Sequence, residues 1–413
     1  MAKFYDVCVI GGGASGLAVA GIIKMHNREI SVAVLEKLPR VGKKLITTGN
    51  GRCNITNRKI EPSRYHGENV GFCKFALKNY DNFVAEVFFN ELGLVFTYDE
   101  EGRAYPYSLQ ASSVVDALRF SADSKGVHTF CDTRVTDIKK TDDGYKIITD
   151  GDIYKSSVLV VAAGLYSGGE SVGCDGSVLK ILKNMGYKTV PTTPAIVQIK
   201  TDNTITKSLK GIKVNGTVEL KADDKLVREE KGEVLFCDYG LSGPPVLQIS
   251  RGVERIKGQK TIELDLMPEY RFENVCDMIR YRTAVLKDRK LEEFFTGMLN
   301  KRVGQTIIKM SGLSLSDDVE TITAEDIKTI ALNIKKMTFN VVSTTGFNNS
   351  QVTAGGLDTS QFDNETMMSE RDKGLFCIGE ILDIDGDCGG FNLQWAWSSA
   401  MCAADAICDF LGE

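Results

Sequence analysis

The chain has 413 residues, 43% apolar and 25% charged, with a formal net charge of −5. These are ordinary globular values, which exclude wholesale disorder and provide chain for two or three domains. The mildly acidic balance provides no basic field for nucleic-acid binding, and 40 glycines against 8 prolines point to tight turns and close ligand approach rather than a proline-rich linker.

In chain order, Tyr5–Ile10 (YDVCVI) reads as a buried parallel strand, Ala14–Met25 as a helix with small residues on one face, and Ile30–Leu35 (ISVAVL) as a second buried strand. Together they form a βαβ unit. The apolar opening carries Gly11, Gly12, Gly13 and Gly16 and no basic leader, so it is expected to belong to the fold rather than to a secretory signal. Gly42–Asn57 is polar and turn-rich and reads as a long functional loop. Helices are expected over Asn79–Leu92 and Ser112–Gly126. Strands follow over Thr129–Ile138 and Tyr145–Thr149, joined by an Asp-Asp-Gly turn, and then over Ser157–Ala162.

From about Pro191 the texture changes to short strands: Ala195–Lys200, Thr217–Ala222, Lys225–Glu230, Glu233–Cys237 and Thr261–Leu266. Phe272–Met337 is helical in pattern, with Thr323 to Asp326 spaced as a capping box. After Phe339 come apolar strand, glycine-rich loop and a final helix over Ser398–Leu411. The expected fold is α/β. A discontinuous Rossmann-like domain (1–190 and 340–413) is interrupted by an antiparallel β-barrel-like insert (191–270) and a small helical insert (271–339). No stretch reaches ~18 uninterrupted apolar residues, so no membrane span is expected.

Gly11 to Gly16 matches G-x-G-x-x-G, with a strand before it and a helix after it. Gly11 permits the turn, Gly13 admits a diphosphate to the backbone, and Gly16 lets helix and strand pack closely. Glu36 ends the second strand twenty residues past Gly16, where a carboxylate accepts ribose hydroxyls. The motif alone does not separate NAD from FAD.

Two further runs bear on that choice: Val160–Gly164 (VVAAG) and Gly374–Asp383 (GLFCIGEILD). With the opening glycines they resemble the three FAD fingerprints of glutathione-reductase-like flavoproteins. The segments Thr48–Asn57 (TGNGRCNITN), Gly240–Pro244 (GLSGP), Val352–Leu357 (VTAGGL) and Asp385–Ser399 (DGDCGGFNLQWAWSS) resemble the BaiN-type flavoprotein family, which also includes aminoacetone oxidase. The resemblance covers nearly the whole chain. One departure is Phe236-Cys-Asp-Tyr239, where relatives would carry a Thr-His pair.

The resemblance implies FAD held by Gly11, Gly13, Ala14, Ser15 and Gly16, by Glu36 and Lys37, and by Thr48, Gly49, Arg52, Cys53 and Asn54 of the polar loop. It adds Val135, Ala163 and Gly164, then Gly379 and Glu380, and finally Asp387, Gly390, Phe391, Asn392 and Leu393. Physically, Phe391–Leu393 at a helix start would present backbone N–H groups to the flavin pyrimidine oxygen. Arg52 would neutralise a phosphate or hold a substrate carboxylate, or stand solvated on its loop.

Eleven scattered cysteines without a Cys-x-x-Cys pair disfavour zinc and thioredoxin-type sites. Unlinked thiols in a cytoplasmic protein are expected, with a Cys53–Cys388 pairing as the lesser alternative. Of His26, His66 and His128, none lies in a flavin motif. His66, just past the polar loop, is the one to test, and no proton carrier is assigned.

The reading is a cytoplasmic FAD-dependent oxidoreductase acting on a small molecule, with no nucleic-acid or membrane partner. NADH or NADPH, docking transiently, would reduce the flavin, and a hydride would pass to an organic acceptor, such as the enone or steroid-like compound that the family name implies. The alternatives are an oxidase of a small amine or amino ketone that yields peroxide, a flavin-binding sensor without turnover, and a plain NAD dehydrogenase.

Overall fold

The computed structural model describes residues 2–412. The chain divides into two compact units: Ile196–Gly346, and the residues before and after that segment. The interrupting unit thus begins and ends a few residues later than the composition shift suggests.

The interrupted unit is built on a seven-stranded sheet. Its path runs His128–Phe130, Val32–Leu35, Lys3–Ile10, Ile153–Val161, Gly144–Thr149, Val135–Thr141. The first four strands are parallel, and the last two form an antiparallel hairpin. Ile153–Val161 serves two partners in turn: its first half pairs with the hairpin, and its last residues pair in parallel with Leu375–Cys377. The C-terminal ends of Lys3–Ile10, Ile153–Val161 and Leu375–Cys377 run straight into the three glycine turns of the sequence pattern, at Gly11, Gly164 and Gly379. In open parallel sheets ligands bind beyond those ends.

The opening helix, Ala14–His26, is apolar nearly all round, and Leu17, Ala18, Val19, Ala20 and Ile23 are buried. A helix of that composition needs cover on more than one side. The C-terminal helix Phe391–Gly412 and the helix Ala111–Ser124 provide it. Trp395 and Trp397 are both buried, and each indole N–H is satisfied by a carbonyl, of Gly379 (3.1 Å) and Ile55 (2.9 Å) respectively.

In Ile196–Gly346 six strands close into a barrel, in the order Ile199–Thr201, Gly240–Ser242, Lys225–Cys237, Lys213–Ala222, Lys260–Asp265, Met337–Thr344. Closure removes exposed sheet edges. Helices Phe272–Val285, Lys301–Met310 and Ala324–Lys335 share one core with the barrel: Ile279, Ile307 and Ile330 belong to the same buried cluster as Val218, Phe236, Leu264 and Phe339. The capping box at Thr323 and Asp326 is present.

Several expected boundaries differ. Thr129–Ile138 is two strands on opposite edges of the sheet, because the chain turns at Asp132 (φ 50°) and crosses over. Lys225–Cys237 is one long strand rather than two. Asn79–Leu92 starts later, at Asn82, where the Asp81 carboxylate caps the Val84 N–H at 3.1 Å. The last helix starts at Phe391 rather than Ser398. Among the described residues no helix is long and apolar enough to cross a membrane.

Candidate functional site

The opening turn is fixed by contacts that only glycine tolerates. Gly11 has φ 106°, and a Cβ there would lie 2.8 Å from the Ala162 carbonyl oxygen. A Cβ on Gly16 would lie 1.9 Å from the Gly11 oxygen. Gly13 is different, since nothing lies within 4 Å of where its Cβ would be. Gly13, Ala14, Ser15 and Gly16 start the helix, so their N–H groups have no acceptor within it. The Glu36 carboxylate accepts from the Gly12 and Leu38 N–H groups, each at 2.8 Å. Each carboxylate oxygen keeps a further lone pair for a hydroxyl.

Next to Glu36, Lys37 pairs with Asp175 at 2.6 Å, and Arg134 reaches the other oxygen at 2.8 Å. Burial pushes the Asp175 carboxyl up, but these cations and Ser177 outweigh it and hold the group well below the usual carboxylate range. A depressed folded value means stability that is present above the ordinary carboxylate pKa and lost as pH falls. Asp175→Asn is therefore expected to cost about 2 kcal/mol at pH 7, and the gap to wild type should narrow, without closing, as pH drops from about 5 toward about 3. Urea unfolding at both ends of that range checks it.

The polar loop is more ordered than its composition implies. A short helix, Lys43–Thr47, leads into a tight turn in which Gly49 (φ 57°), Asn50 (56°) and Cys53 (60°) all take the left-handed conformation. Such strain in non-glycine residues persists only where surroundings enforce it, often at ligand sites. Cys53 N–H donates to the Thr48 carbonyl at 3.0 Å. Arg52 is exposed, with its guanidinium 5.0 Å from the Tyr105 ring centre. The Asn54 side-chain oxygen is buried without a hydrogen-bond partner. An orphaned buried acceptor costs about 1–3 kcal/mol, so a ligand donor is a physical reason for keeping it.

That loop is sewn to the C-terminal motif. A Cβ on Gly390 (φ 99°) would meet the Thr56 carbonyl at 2.5 Å and Asn54 Oδ1 at 2.8 Å. Asn57 donates to the Gly389 carbonyl at 2.8 Å, and Thr56 Oγ1 to Gln394 Oε1 at 2.5 Å. Asn392 spends its amide on Gly386, accepting from its N–H and donating to its carbonyl, both at 2.8 Å. Its side chain therefore shapes the loop, and its contribution to a ligand would come from the backbone N–H. Phe391, Asn392 and Leu393 open the 22-residue helix, and their amides lack intrahelical acceptors.

Behind these loops, Gly379 (φ 71°) packs against Ser15, whose Oγ would be 2.8 Å from a Cβ there. The first and third glycine turns are therefore in contact. Glu380 Oε1 accepts from the Thr353 N–H at 2.9 Å, and Oε2 is bound by Lys44 Nζ. Gly164 lies close by, its Cβ position 3.7 Å from Glu380 Oε2, and Ala163 precedes it on the same turn. Val135 is buried at the start of the hairpin on the outer edge of the sheet.

Sequence reasoning missed Lys44, Thr56, Gln394 and the role of Asp387. Lys44, Thr56 and Gln394 lie inside or beside the quoted motifs, but only the fold reveals their partners. Asp387 bonds His66 at 2.8 Å, so His66 is tied to the C-terminal motif. His26 and His128 are elsewhere, near Asp405 and on the Tyr5 hydroxyl.

The donor set fits an adenine–flavin dinucleotide. An open cradle at Gly13 faces free helix amides, a carboxylate follows the second strand, and an orphaned acceptor and a second helix start lie on the C-terminal loop.

The family model of the HI0933-like protein Rossmann domain matches residues 5–406. The chain belongs to the HI0933-like family. It is an oxidoreductase of the FAD-dependent class. The chain is 31% identical over 404 residues to a 3-dehydro-bile acid delta(4,6)-reductase of Clostridium scindens, covering 97% of this chain and 98% of that one. It is 27% identical over 415 residues to a ribosomal RNA dihydrouridine synthase of Haemophilus influenzae, covering 98% and 99%. In fold it is similar to a 3-ketosteroid-delta4-(5alpha)-dehydrogenase of Rhodococcus jostii, with TM-score 0.52, 15% identity and coverage of 98% and 97%.

No disulfide links any of the eleven cysteines of this HI0933-like protein. Burial pushes Cys53 up to about 12 and Cys388 up to about 11, which suppresses the thiolate that exchange chemistry needs. The double variant Cys53→Ser/Cys388→Ser should keep flavin reduction within about tenfold of wild type in stopped-flow absorbance. A loss beyond about 100-fold would point to a dithiol relay instead.

Proposed function

We propose that this family member reduces a carbon–carbon double bond conjugated to a carbonyl in a small, steroid-like acceptor, with NADH or NADPH as electron source. The observation that carries the reading is the end-to-end likeness to the bile-acid reductase. When bound, FAD supplies the two-electron hydride chemistry. Gly13 to Gly16 would hold its diphosphate and Glu36 a ribose. The amides of Phe391–Leu393 would face the flavin pyrimidine edge, where helix-start N–H groups offset negative charge. Arg52, whose Nε makes only a long 3.4 Å bond to the Gly49 carbonyl, would meet an anionic group on substrate or cofactor.

A second acceptor is supported by the relatives named ribosomal RNA dihydrouridine synthase. The bond saturated in a dihydrouridine is likewise conjugated to a carbonyl, so the same reduction would serve. The net charge of −5 weighs against RNA, because phosphate binding draws on lysine and arginine fields.

Anaerobic mixing of the FAD-loaded protein with NADH or NADPH tests the reading. The flavin absorbance should bleach, then recover on adding a 4-ene-3-ketone steroid. Recovery only with uridine-containing RNA would favour the second acceptor. Bleaching by aminoacetone, with peroxide formed in air, would favour an oxidase. Protein that bleaches with none of these donors would be a flavin-binding sensor, and colourless protein releasing no flavin on boiling would overturn the FAD assignment.

A further inference from the structure

We propose that His66 is the proton donor of this reduction and that Asp387 positions it. The inference rests on the reading above, in which the acceptor is an α,β-unsaturated carbonyl. Tyr65–His66 forms a two-residue ladder with Asp385–Gly386, His66 opposite Asp385. The ladder brings the imidazole to the loop that carries Asp387. Nε2 lies 2.8 Å from Asp387 Oδ1, and that carboxylate is only 5% exposed. A carboxylate accepts, so Nε2 carries a hydrogen, and the position that gains and loses a proton is Nδ1. Nδ1 has no hydrogen-bond partner among the described residues, and the ring is 26% exposed. An imidazole anchored at one nitrogen and open at the other has the tautomer and orientation of a general acid.

The neighbouring groups suit the role less well. Arg64 reaches Asp387 Oδ2 at 3.4 Å and cannot lose its proton. Tyr65 donates to the Phe391 carbonyl at 3.1 Å, and burial pushes its phenol up. Burial likewise pushes the Cys388 thiol up to about 11. Asp385 lies across the ladder, and Asp383 accepts from the Glu68 N–H at 2.8 Å.

The chemistry balances. The acceptor's π bond breaks as a hydride adds to the carbon β to the carbonyl. The resulting enolate takes a proton at the α carbon from Nδ1–H of His66. The imidazolium becomes neutral and recharges from solvent. The two electrons come from the reduced flavin of the proposed reaction.

The test uses FAD-loaded enzyme whose flavin has been reduced photochemically under argon, mixed with a 4-ene-3-ketone steroid. Wild type should reoxidise, at a rate that falls with rising pH as the donor loses its proton. His66→Gln should be slower by about 100-fold or more, with a flat pH profile, while its reduction by the nicotinamide changes less than about tenfold. A second readout needs no turnover. In the histidine proton NMR spectrum, with the His66 ring signals assigned by their loss in His66→Gln, Asp387→Asn should move those signals, because the ring loses its anchoring carboxylate. Equal reoxidation rates in wild type and His66→Gln, or His66 ring signals unmoved in Asp387→Asn, would overturn the assignment. Failure of wild type itself to reoxidise would instead sink the acceptor reading and remove the role proposed for His66 with it.

Discussion

Gly16→Ala is expected to abolish FAD retention and to destabilise the protein by about 3–5 kcal/mol, the range of severe backbone or packing defects. The added methyl would sit 1.9 Å from the Gly11 carbonyl oxygen, with the Ala162 side chain at 3.2 Å. Neither backbone can yield without parting the opening helix from its strand. Gly13→Ala is the informative contrast. Its methyl meets nothing within 4 Å, so thermal stability of the apo-protein should shift by less than about 1 kcal/mol. FAD affinity should nevertheless fall by about tenfold or more, because the methyl would occupy the surface offered to the diphosphate. Thermal melts of apo-protein and quenching of flavin fluorescence separate the two effects. Equal affinity of Gly13→Ala and wild type would remove the diphosphate from this turn.

Glu380→Gln is expected to be the most damaging side-chain change in the site. It leaves the Lys44 ammonium, whose side chain is 24% exposed, without its counter-charge. Breaking a fully buried pair costs about 3–5 kcal/mol. Partial exposure here places the expectation nearer 2–3 kcal/mol, measurable by urea unfolding, with loss of bound flavin. Lys44→Met added to Glu380→Gln should recover part of the loss, because the stranded charge is gone. Burial pushes the Lys44 pKa down, but Glu380 outweighs it and holds the value above the ordinary one. A raised folded pKa contributes stability that is complete below the ordinary lysine value of about 10.5 and is lost only above the folded value. The gap between wild type and Glu380→Gln should therefore stay flat from about pH 6 to about pH 9. A gap that closes as pH rises within that window would mean that Lys44 sheds its proton in the variant, where burial acts without Glu380.

Much of the fold was legible because its signals are local. The run from Tyr5 to Leu35 reads as strand, turn and helix from apolar pattern and glycine spacing, and Gly11 and Gly16 proved as sterically constrained as that pattern requires. Thr323 and Asp326 cap a helix across three residues, a distance at which sequence and space are nearly the same thing. The strand over 129–138 failed for the converse reason. Its two halves satisfy the same residue preferences while pairing on opposite edges of the sheet, and β-propensity does not specify a partner.

The site divides along the same line. The residues alone marked the stretches expected to approach a dinucleotide, since close backbone approach restricts the residue type at each turn. Tertiary structure decided which side chains meet: Lys44 with Glu380, Thr56 with Gln394, and His66 with Asp387, pairs more than 300 positions apart. Hydrogen bonds and ion pairs act over a few ångströms, and a charged residue in isolation does not encode the partner that neutralises it. Only folding brings the polar loop and the start of the last helix within that reach.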